Sequence, residues 1–542
     1  MALWGAWLVG GILLTYLLYL SSVHSYPGSS DGASVVLEGK AMLSNFTLTH
    51  WALSLDSFWL VDAPFYAVAV ALVGVHPQLL HLVPAVIATC VIGMGAWIAQ
   101  RGRGRLPGLA AIAVVVALLG LPAHALAEFF LIGPFHVATT LWCLIAFVAL
   151  RKGRFGWGWL VAVTFLAAGL LGDLQTIVLG TAPIVLAGFV AMFRQRQWRA
   201  GAPAVAAAVV STVLAEVVRR IALAIGTYSI GAANPRAAFH QMIHNAYHVI
   251  KYGAALGGVG TRTFGAPAVP PVLEVAHAIG LCLCVVAVVW ALAAIVRAAL
   301  FGAGSRDTEG VAKPGWLEAA WFEDVLAFAF LGGCATYVWF ALNASAPFAR
   351  YLTSAVVFGS ILGARLAGRI AERARNGWPR VAVASVAALV AVGYVATFAN
   401  TLTVAPPGQS VVHLATYLKE HHLTKGVGDF WSASIVTVES SDAVVVRPVV
   451  AVDSDGHVVR YTRLSTSAWY GGGFQFLVYN AVAVWGGVDE KSAVATFGAP
   501  QHAAMVGPYE VLTWSHDISV SGTGTYLPVN GANRPSQSKT TG

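Results

Sequence analysis

Residues 273–296, LEVAHAIGLCLCVVAVVWALAAIV, form an apolar run whose only charged side chain is Glu274. At the 1.5 Å rise per residue of an α-helix, this run is long enough to cross a hydrocarbon layer of about 30 Å. Similar runs recur along the first 397 residues. Of the 542 residues, 58% are hydrophobic and 10% are charged, against about 25% charged in an ordinary soluble domain. The sequence therefore predicts a polytopic α-helical membrane protein.

Eleven membrane spans are predicted from these runs. The first, 2–20, lacks a basic n-region and has a longer apolar run than a signal peptide, so we interpret it as a retained span. The apolar stretch 64–75 is too short to cross and is interpreted as a half-buried segment at the outer surface. The other ten spans are predicted at 78–99, 107–123, 134–150, 156–172, 176–193, 203–225, 273–296, 324–342, 351–368 and 381–397.

Lysine and arginine residues concentrate in alternate connections between the spans, as the positive-inside rule describes. The rule places these connections in the cytoplasm. An odd number of spans then puts the N-terminus inside and the C-terminal part of the chain outside the plasma (inner) membrane. The net charge of +8 has the same origin, and no basic stripe with interleaved aromatic residues indicates nucleic-acid binding. The cation-rich connections are 101–105, 151–154, 194–199, 297–313 and 365–380.

The outer side is predicted to carry a first loop at 21–63, a second loop at 227–271, and the tail. The composition changes sharply after Ala405-Pro406-Pro407-Gly408. We therefore divide the chain into a membrane domain, 1–397, and a small extracytoplasmic α/β domain, 398–542, whose last dozen residues are predicted to be disordered. The pattern of the tail predicts a helix at 409–421 and strands at 443–452 and 474–478.

The first outer loop carries an ordered set of polar and aromatic residues. Asp31-Gly32-Ala33 follows the first span, and the stretch 35–43 has the apolar spacing of a helix that lies in the interface plane. His50-Trp51 and Asp56 come next, and the loop ends on Asp62-Ala63-Pro64-Phe65-Tyr66. This loop is the most informative part of the sequence.

The order of these residues resembles the first outer loop of the GT-C clan of membrane glycosyltransferases. The shared features are an acidic residue directly after the first span, a helix with Ala41-Met42-Leu43, an aromatic stretch, and a charged residue before Pro64. Within the clan, the loop is similar to the protein O-mannosyltransferase and lipid-A aminoarabinose-transferase branch. In the tail, Gly428-Asp429-Phe430-Trp431 and Arg447-Pro448-Val449 resemble the soluble tails of related bacterial envelope transferases. The resemblance implies a GT-C-like fold with about 11 transmembrane helices.

The same resemblance implies an enzyme that transfers a sugar from a polyprenyl-phosphate donor to an extracytoplasmic acceptor by an inverting single displacement. The acceptor is an envelope glycan, a lipid or a protein. Its hydroxyl loses a proton as it attacks, and Asp31 is the expected base. Cations must stabilise the leaving phosphate, whereas neither a metal nor another cofactor is required. The alternative for Asp31 is that it caps the helix that follows.

Two positions depart from the pattern of the clan. Many members have an Asp-Glu pair where this chain has Asp31-Gly32, which leaves the expected base in place. Many have a basic residue before paired prolines where this chain has Asp62-Ala63-Pro64, which removes the usual donor-side cation. Asp62 is a candidate substrate-binding residue, and the alternative is that it caps a helix that begins at the proline.

Arginines provide the candidate phosphate ligands. Arg350-Tyr351 lies at the outer mouth of a span, where an arginine runs against the charge bias and where related enzymes often carry Arg-Tyr. The alternative for Arg350 is snorkelling to the interface. Arg219 and Arg220 lie within an apolar span and are interpreted as phosphate ligands or as partners of Glu216.

Other polar residues fall near the predicted outer ends of the spans. His240, His244 and His248 recur every four residues, so on a helix they share one face; we interpret this helix as a wet interfacial one, with His244 and His248 as substrate contacts rather than metal ligands. Aromatic residues of the tail either stack on sugar rings or pack in the core; they are Trp431, Trp469 and Tyr470. Asp173 is interpreted as a cap of the next helix or as a substrate-binding residue of the cavity, and Glu128 and His136, which flank another outer turn, are interpreted as cavity lining.

Two other functions stay open from the sequence. A transporter or flippase of lipid-linked glycans would use a similar number of spans, but it favours charges near the middle of the membrane and broken helices. A non-catalytic scaffold that presents the tail to an envelope partner would tolerate Asp31→Asn.

Overall fold

The computed structural model describes residues 2–230, 236–264, 269–301, 316–340, 346–374, 378–451 and 456–524. The predicted disordered end of the tail lies outside these residues. Within them, the chain forms eighteen α-helices and ten strands. The helices are α1 (Ala2–Ser25), α2 (Ser30–Met42), α3 (Ala63–Val73), α4 (Leu79–Gln100), α5 (Arg105–Val115), α6 (His124–Phe130), α7 (Val137–Leu150), α8 (Trp157–Gly172), α9 (Ala182–Gln195), α10 (Ala202–Ala224), α11 (Phe239–Leu256), α12 (Pro271–Phe301), α13 (Trp316–Trp339), α14 (Thr353–Arg373), α15 (Trp378–Leu402), α16 (Gln409–Glu420), α17 (Phe430–Glu439) and α18 (Glu490–Phe497).

The strands lie mainly in the tail. They are β1 (Trp51–Leu53), β2 (Ser229–Ile230), β3 (Lys425–Asp429), β4 (Val445–Ala451), β5 (Val458–Tyr461), β6 (Ser465–Thr466), β7 (Phe474–Asn480), β8 (His502–Val506), β9 (Tyr509–Ile518) and β10 (Thr523–Gly524).

The chain divides into two compact units. The helical unit comprises Met1–Ser25, Pro84–Val218 and Asn234–Ala405. The mixed unit comprises Tyr26–Val83, Arg219–Ala233 and Pro406–Gly542. The first loop and the tail, which are far apart in the sequence, thus belong to the same compact unit.

Each of the eleven predicted spans overlaps a helix of the described residues, and eight helices are long and apolar enough to cross a membrane. A ninth candidate is a bent pair, Arg105–Gly120 and His124–Phe130, whose axes differ by 83°. Pro122 lies in the break, where its missing N–H and its ring disfavour a continuous helix. The two remaining predicted spans, 134–150 and 156–172, correspond to the shorter helices α7 and α8, which have 14 and 16 residues. The short stretch predicted at 64–75 is α3, which has 11 residues and buries one stripe of them.

The cations of the predicted cytoplasmic connections gather at one end of the helical unit. Glu318 near the start of α13 accepts from Arg101 at 3.0 Å and lies 3.6 Å from Arg151. Further ion pairs lie in the same region, so that four of the five cation-rich connections meet there. The pairs are Arg103–Glu372, Arg194–Asp324, Arg365–Glu323 and Arg369–Glu323. The side of the membrane on which this end lies stays a prediction.

A seven-stranded mixed sheet forms the centre of the tail, with strand order β10-β5-β4-β3-β7-β9-β8. The central strand β3 runs parallel to both of its neighbours, β4 and β7. Glycine is required in β3, because a Cβ on Gly426 would lie 2.3 Å from the ring of Phe476. The predicted helix at 409–421 is confirmed as α16, and the strands predicted at 443–452 and 474–478 are β4 and β7.

A second, three-stranded sheet lies within the mixed unit and has the order β2-β1-β6. Strand β1 of the first loop pairs in parallel with β2 and antiparallel with β6 of the tail. Next to this sheet, the ring of Trp51 contacts that of Trp469 edge-on at 4.9 Å, and Arg447 lies 4.1 Å from the centre of the Trp469 ring. Trp469 therefore packs inside the unit, and Tyr470 is buried as well.

The helix predicted after Asp31 is confirmed as α2, but its surroundings differ from those of a helix in the interface plane. Ten of its 13 residues are buried, and it packs between α3 and α17. Small residues permit this, since they let neighbouring backbones approach closely. Ser34 Oγ donates to Ser434 Oγ of α17 at 3.1 Å, and Gly39 faces the backbone of α3. Helix α2 is thus an internal element of the mixed unit.

Candidate functional site

A buried histidine–aspartate pair lies between helix ends of the helical unit. His136 immediately precedes α7 and has a left-handed backbone with φ of 68°, an uncommon conformation for a residue with a side chain. Its Nδ1 lies 2.7 Å from Oδ2 of Asp173, the residue that ends α8. Thr139 Oγ1 donates to the same oxygen, and the Gln175 backbone N–H donates to Oδ1 at 2.8 Å. Both members of the pair are almost fully buried.

The interactions of Asp173 favour its charged form. Burial raises the pKa of Asp173, but His136 and the hydrogen bonds from Thr139 and Gln175 outweigh burial and hold that pKa below its usual value. The side-chain amide of Gln175 is buried and has no hydrogen-bond partner among the described residues. A buried charge and an unsatisfied amide thus lie side by side, which is typical of a site that binds a polar ligand.

The predicted pair Arg350-Tyr351 lies against this histidine. The two residues belong to a 3₁₀ helix, Ala346–Leu352, that leads into α14. The ring of Tyr351 lies 5.1 Å from that of His136. The guanidinium of Arg350 lies 4.2 Å from the centre of the Phe135 ring, and its Nε is buried without a hydrogen-bond partner among the described residues. The structure therefore brings together four residues that were named from the sequence, with His136 in contact with both Asp173 and Tyr351; the fourth is Arg350.

An apolar cavity of about 450 Å³ begins beside these residues within the helical unit. Leu352, which directly follows the Arg350-Tyr351 pair, is part of its wall. Val249, which follows His248 in α11, forms another part of the wall. The remaining lining comes mainly from apolar side chains of α12, α13 and α14, among them Leu281, Phe330 and Val356.

Helix α11 carries the three predicted histidines on one face. The rings of His244 and His248 are 4.2 Å apart, and burial lowers the pKa of His248, as do the charges of His244 and Lys251. The Asn245 amide fixes the helix by donating to the carbonyls of residues 338 and 340 at 3.2 and 3.1 Å. The exposed side of the helix is largely apolar; it presents Phe239, Ile243, Tyr247 and Ile250.

In the mixed unit, Asp31 is not the N-cap of α2. That role belongs to Ser29, whose Oγ accepts from the Gly32 N–H at 3.2 Å. Asp31 lies in the first turn of α2 and is partly exposed. Burial raises the pKa of Tyr461 in the tail to about 12. The charge of Arg463 opposes this rise, whereas the charge of Asp31 adds to it.

Two further carboxyl groups of the first loop are fully buried in the mixed unit. Asp62 occupies the N-cap position of α3, but its side chain makes no capping hydrogen bond. Burial, followed by the charge of Asp62, raises the pKa of Tyr66. Glu38 of α2 was not singled out from the sequence; both of its oxygens are buried without a hydrogen-bond partner among the described residues, and burial raises its pKa well above the usual value.

Arg219 and Arg220 lie near the end of α10, and both side chains are exposed. The charge of Arg219 is close to the phenol of Tyr228, where it opposes the rise in pKa that burial causes. Tyr228 packs edge-on against Trp59 of the first loop at 5.4 Å. A role of either arginine in phosphate binding stays a prediction.

The chain combines helices that are long and apolar enough to cross a membrane with a sheet-containing tail. No family model and no curated protein matches the sequence. Among solved structures, the chain is similar to ArnT from Cupriavidus metallidurans in the apo state, with a TM-score of 0.52 and 11% identity over 94% of this chain and 98% of that one. The oligosaccharyltransferase of Archaeoglobus fulgidus, in complex with Zn and sulfate, matches with a TM-score of 0.46 and 11% identity over 90% of this chain and 70% of that one. The likeness to ArnT confirms the fold implied by the first outer loop.

Proposed function

We propose that the protein transfers a sugar from a polyprenyl-phosphate donor to an extracytoplasmic acceptor, and that it does so as a multi-pass enzyme of the plasma membrane. The observation that carries this proposal is the apolar cavity of about 450 Å³ whose wall begins one residue after Arg350-Tyr351. A lipid phosphate needs a place for its hydrocarbon chain directly beside a place for its charge. The GT-C fold raises the expectation of sugar transfer, although a fold alone does not establish an activity.

The helical unit would bind the donor. The polyprenyl chain would occupy the apolar cavity, where each buried methylene contributes about 0.8 kcal/mol. The guanidinium of Arg350, whose Nε has no hydrogen-bond partner among the described residues, would donate to the phosphate and stabilise the charge that develops as the sugar leaves. His136, held by Asp173, and the ring of Tyr351 would fix the headgroup, and His244 and His248 would contact it from α11.

Asp31 would serve as the base. The acceptor oxygen attacks the anomeric carbon as the bond from that carbon to the phosphate oxygen breaks, so the configuration inverts. The acceptor proton passes to the Asp31 carboxylate, and the electron pair of the broken bond stays on the polyprenyl phosphate. Asp31 is not the N-cap of α2, because Ser29 occupies that position. Asp62, Arg219 and Arg220 would contribute further substrate contacts.

A transfer assay tests the proposal. Purified protein in nanodiscs is incubated with a panel of radiolabelled polyprenyl-phosphate sugars and envelope extract, and donor consumption is compared between wild type and Asp31→Asn. The matched control is Asp442→Asn, which removes a carboxylate of the same unit that forms an exposed ion pair with Lys40 and should change little.

The expected result is turnover by wild type and control but not by Asp31→Asn, with donor binding retained in all three. Equal turnover by Asp31→Asn would exclude Asp31 as the base and direct attention to Asp62. Donor binding without turnover of any sugar would favour a flippase. Arg350→Gln should weaken donor binding about tenfold or more, because charged hydrogen bonds contribute about 1.5–3 kcal/mol, whereas Arg199→Gln, at an exposed arginine beside Trp198, should not.

A further inference from the structure

Four aromatic side chains of the tail form a continuous cluster. The ring of Phe430 lies 5.0 Å from that of Trp431 and 5.3 Å from that of Tyr461. Trp485 lies 5.5 Å from Tyr461 and 6.5 Å from Trp431, nearly perpendicular to both. Phe430 and Tyr461 are buried, whereas Trp431 is 36% exposed. The cluster therefore has a packed base and an indole that remains accessible.

The two tryptophans follow the carboxyl ends of two neighbouring parallel strands. Trp431 comes after β3, and Trp485 comes after β7. Ligands of open α/β sheets bind in the crevice outside the carboxyl ends of parallel strands, because the connections there are free to vary. Trp431 and Trp485 thus occupy the edge of the sheet at which ligand binding is expected.

A buried carboxylate fixes this edge. Asp429, the last residue of β3, accepts from the Trp431 N–H at 2.9 Å and from the Asn480 N–H at 3.0 Å. Asn480 ends β7, and its side-chain oxygen accepts from the backbone of Val482 and of residue 483, which shapes the turn before Trp485. The positions of both tryptophans are therefore tied to the ends of their strands.

Charged groups border the cluster on its Tyr461 side. Asp31 and Arg463 both lie close enough to Tyr461 to act on its pKa through their charges. An aromatic face beside a carboxylate and a guanidinium suits a sugar, because the ring packs on the C–H face of the sugar while the polar groups bind its hydroxyls. The residue proposed as the base is thus next to this arrangement within the same unit.

We propose that Trp431 and Trp485 form a carbohydrate-binding platform and that the acceptor of the transfer is a glycan chain rather than a protein or a lipid. The choice of acceptor rests on the proposed function, whereas glycan binding by the platform does not. The competing occupant is the membrane surface, since Val482 and Val484 of the adjoining turn are exposed. The glycan is favoured by the charged neighbours Asp31 and Arg463 and by the hydrogen bonds of Asp429 that fix the carboxyl ends of β3 and β7.

Binding is measured without donor, so that its outcome does not depend on turnover. Full-length protein in nanodiscs is titrated with short radiolabelled oligosaccharides of glucose, mannose, galactose and arabinose. Trp431→Ala should weaken binding of the preferred glycan about tenfold, because it removes the accessible aromatic face on which the sugar would pack. Trp431→Tyr should restore most of the affinity. The control is Met505→Ala, at an exposed side chain on the edge strand β8, which should bind as wild type does.

Three results of these experiments would overturn the inference. The first is wild-type affinity of Trp431→Ala for every glycan that the protein binds, and the second is no glycan binding by the wild type at all. The third is efficient crosslinking of a photoreactive side chain at position 484 to nanodisc lipid, with no protection by glycan. Glycan binding without any sugar transfer would refute the proposed function alone. Sugar transfer that does not require the platform of Trp431 and Trp485 would refute this inference alone.

Discussion

Replacement of Gly39 by alanine tests how closely α2 must approach α3 inside the mixed unit. A Cβ on residue 39 would lie 2.7 Å from Ala67 N and 2.8 Å from the Tyr66 carbonyl carbon. Both atoms belong to the backbone and cannot rotate away. Ordinary contacts begin at 3.4 Å, so 3.4 − 2.7 gives a displacement of about 0.7 Å that the two helices must absorb. Overpacking of this kind costs about 1–3 kcal/mol, and the higher helix propensity of alanine offsets about 1 kcal/mol of that.

The expected net effect of Gly39→Ala is a loss of up to about 2 kcal/mol in stability and a larger loss in activity. Asp31 lies on the same helix, and a shift of about 1 Å at a reacting group can reduce the rate up to a hundredfold. Stability is followed by the thermal unfolding midpoint at one fixed scan rate, and activity by donor consumption. Gly93→Ala in α4 is the matched control, because a Cβ there meets nothing within 4 Å. Wild-type stability and turnover in Gly39→Ala would refute the reasoning.

Two further substitutions address buried carboxyl groups. Glu38→Met should stabilise the protein by about 1–3 kcal/mol near neutral pH, because it removes a buried group without hydrogen-bond partners. Since the folded pKa of Glu38 is raised, its destabilising effect should grow as pH rises above about 4.3, and a difference in unfolding midpoint that is constant from pH 4 to 8 would contradict this. Asp173→Asn should cost about 1.5–3 kcal/mol at pH 7, because it removes the charge from the hydrogen bond to His136. The folded pKa of Asp173 is lowered, so the loss should be complete above about pH 4 and fade as pH falls through that lowered pKa; a loss that persists in acid would contradict it.

The helices could be predicted from the sequence because membrane spans depend on local composition and length. The surroundings of α2 could not be predicted, since they depend on contacts such as that of Ser34 with Ser434, 400 positions away. The amphipathic spacing of 35–43 suits an interfacial helix, but small residues allow the helix to be enclosed instead. Capping was equally undecidable from the sequence, because Ser29 and Asp31 are both good N-cap residues and only the backbone geometry selects Ser29.

The candidate site was predicted in its parts but not in its arrangement. Asp173, Arg350 and Tyr351 were each named from their position near the end of an apolar run. His136, which was named as cavity lining from its place beside an outer turn, contacts both Asp173 and Tyr351, and no local signal predicts these contacts. The pair with Asp173 joins residues 37 positions apart, and it forms because α7 and α8 are antiparallel neighbours. Proximity of this kind is a property of helix packing, which composition and periodicity do not specify.

Helix α7 links two polar layers of the helical unit and thereby orients the site. It begins next to His136, beside Asp173, and ends next to Arg151, beside Glu318. Its 14 residues rise about 21 Å at 1.5 Å per residue, so the layer with the candidate site and the layer with the paired cations lie at opposite ends of the helix. If the cation-rich layer is cytoplasmic, as the positive-inside rule requires, the His136–Asp173 pair faces the outer side. This is the side on which a sugar donor must be used if the acceptor is extracytoplasmic.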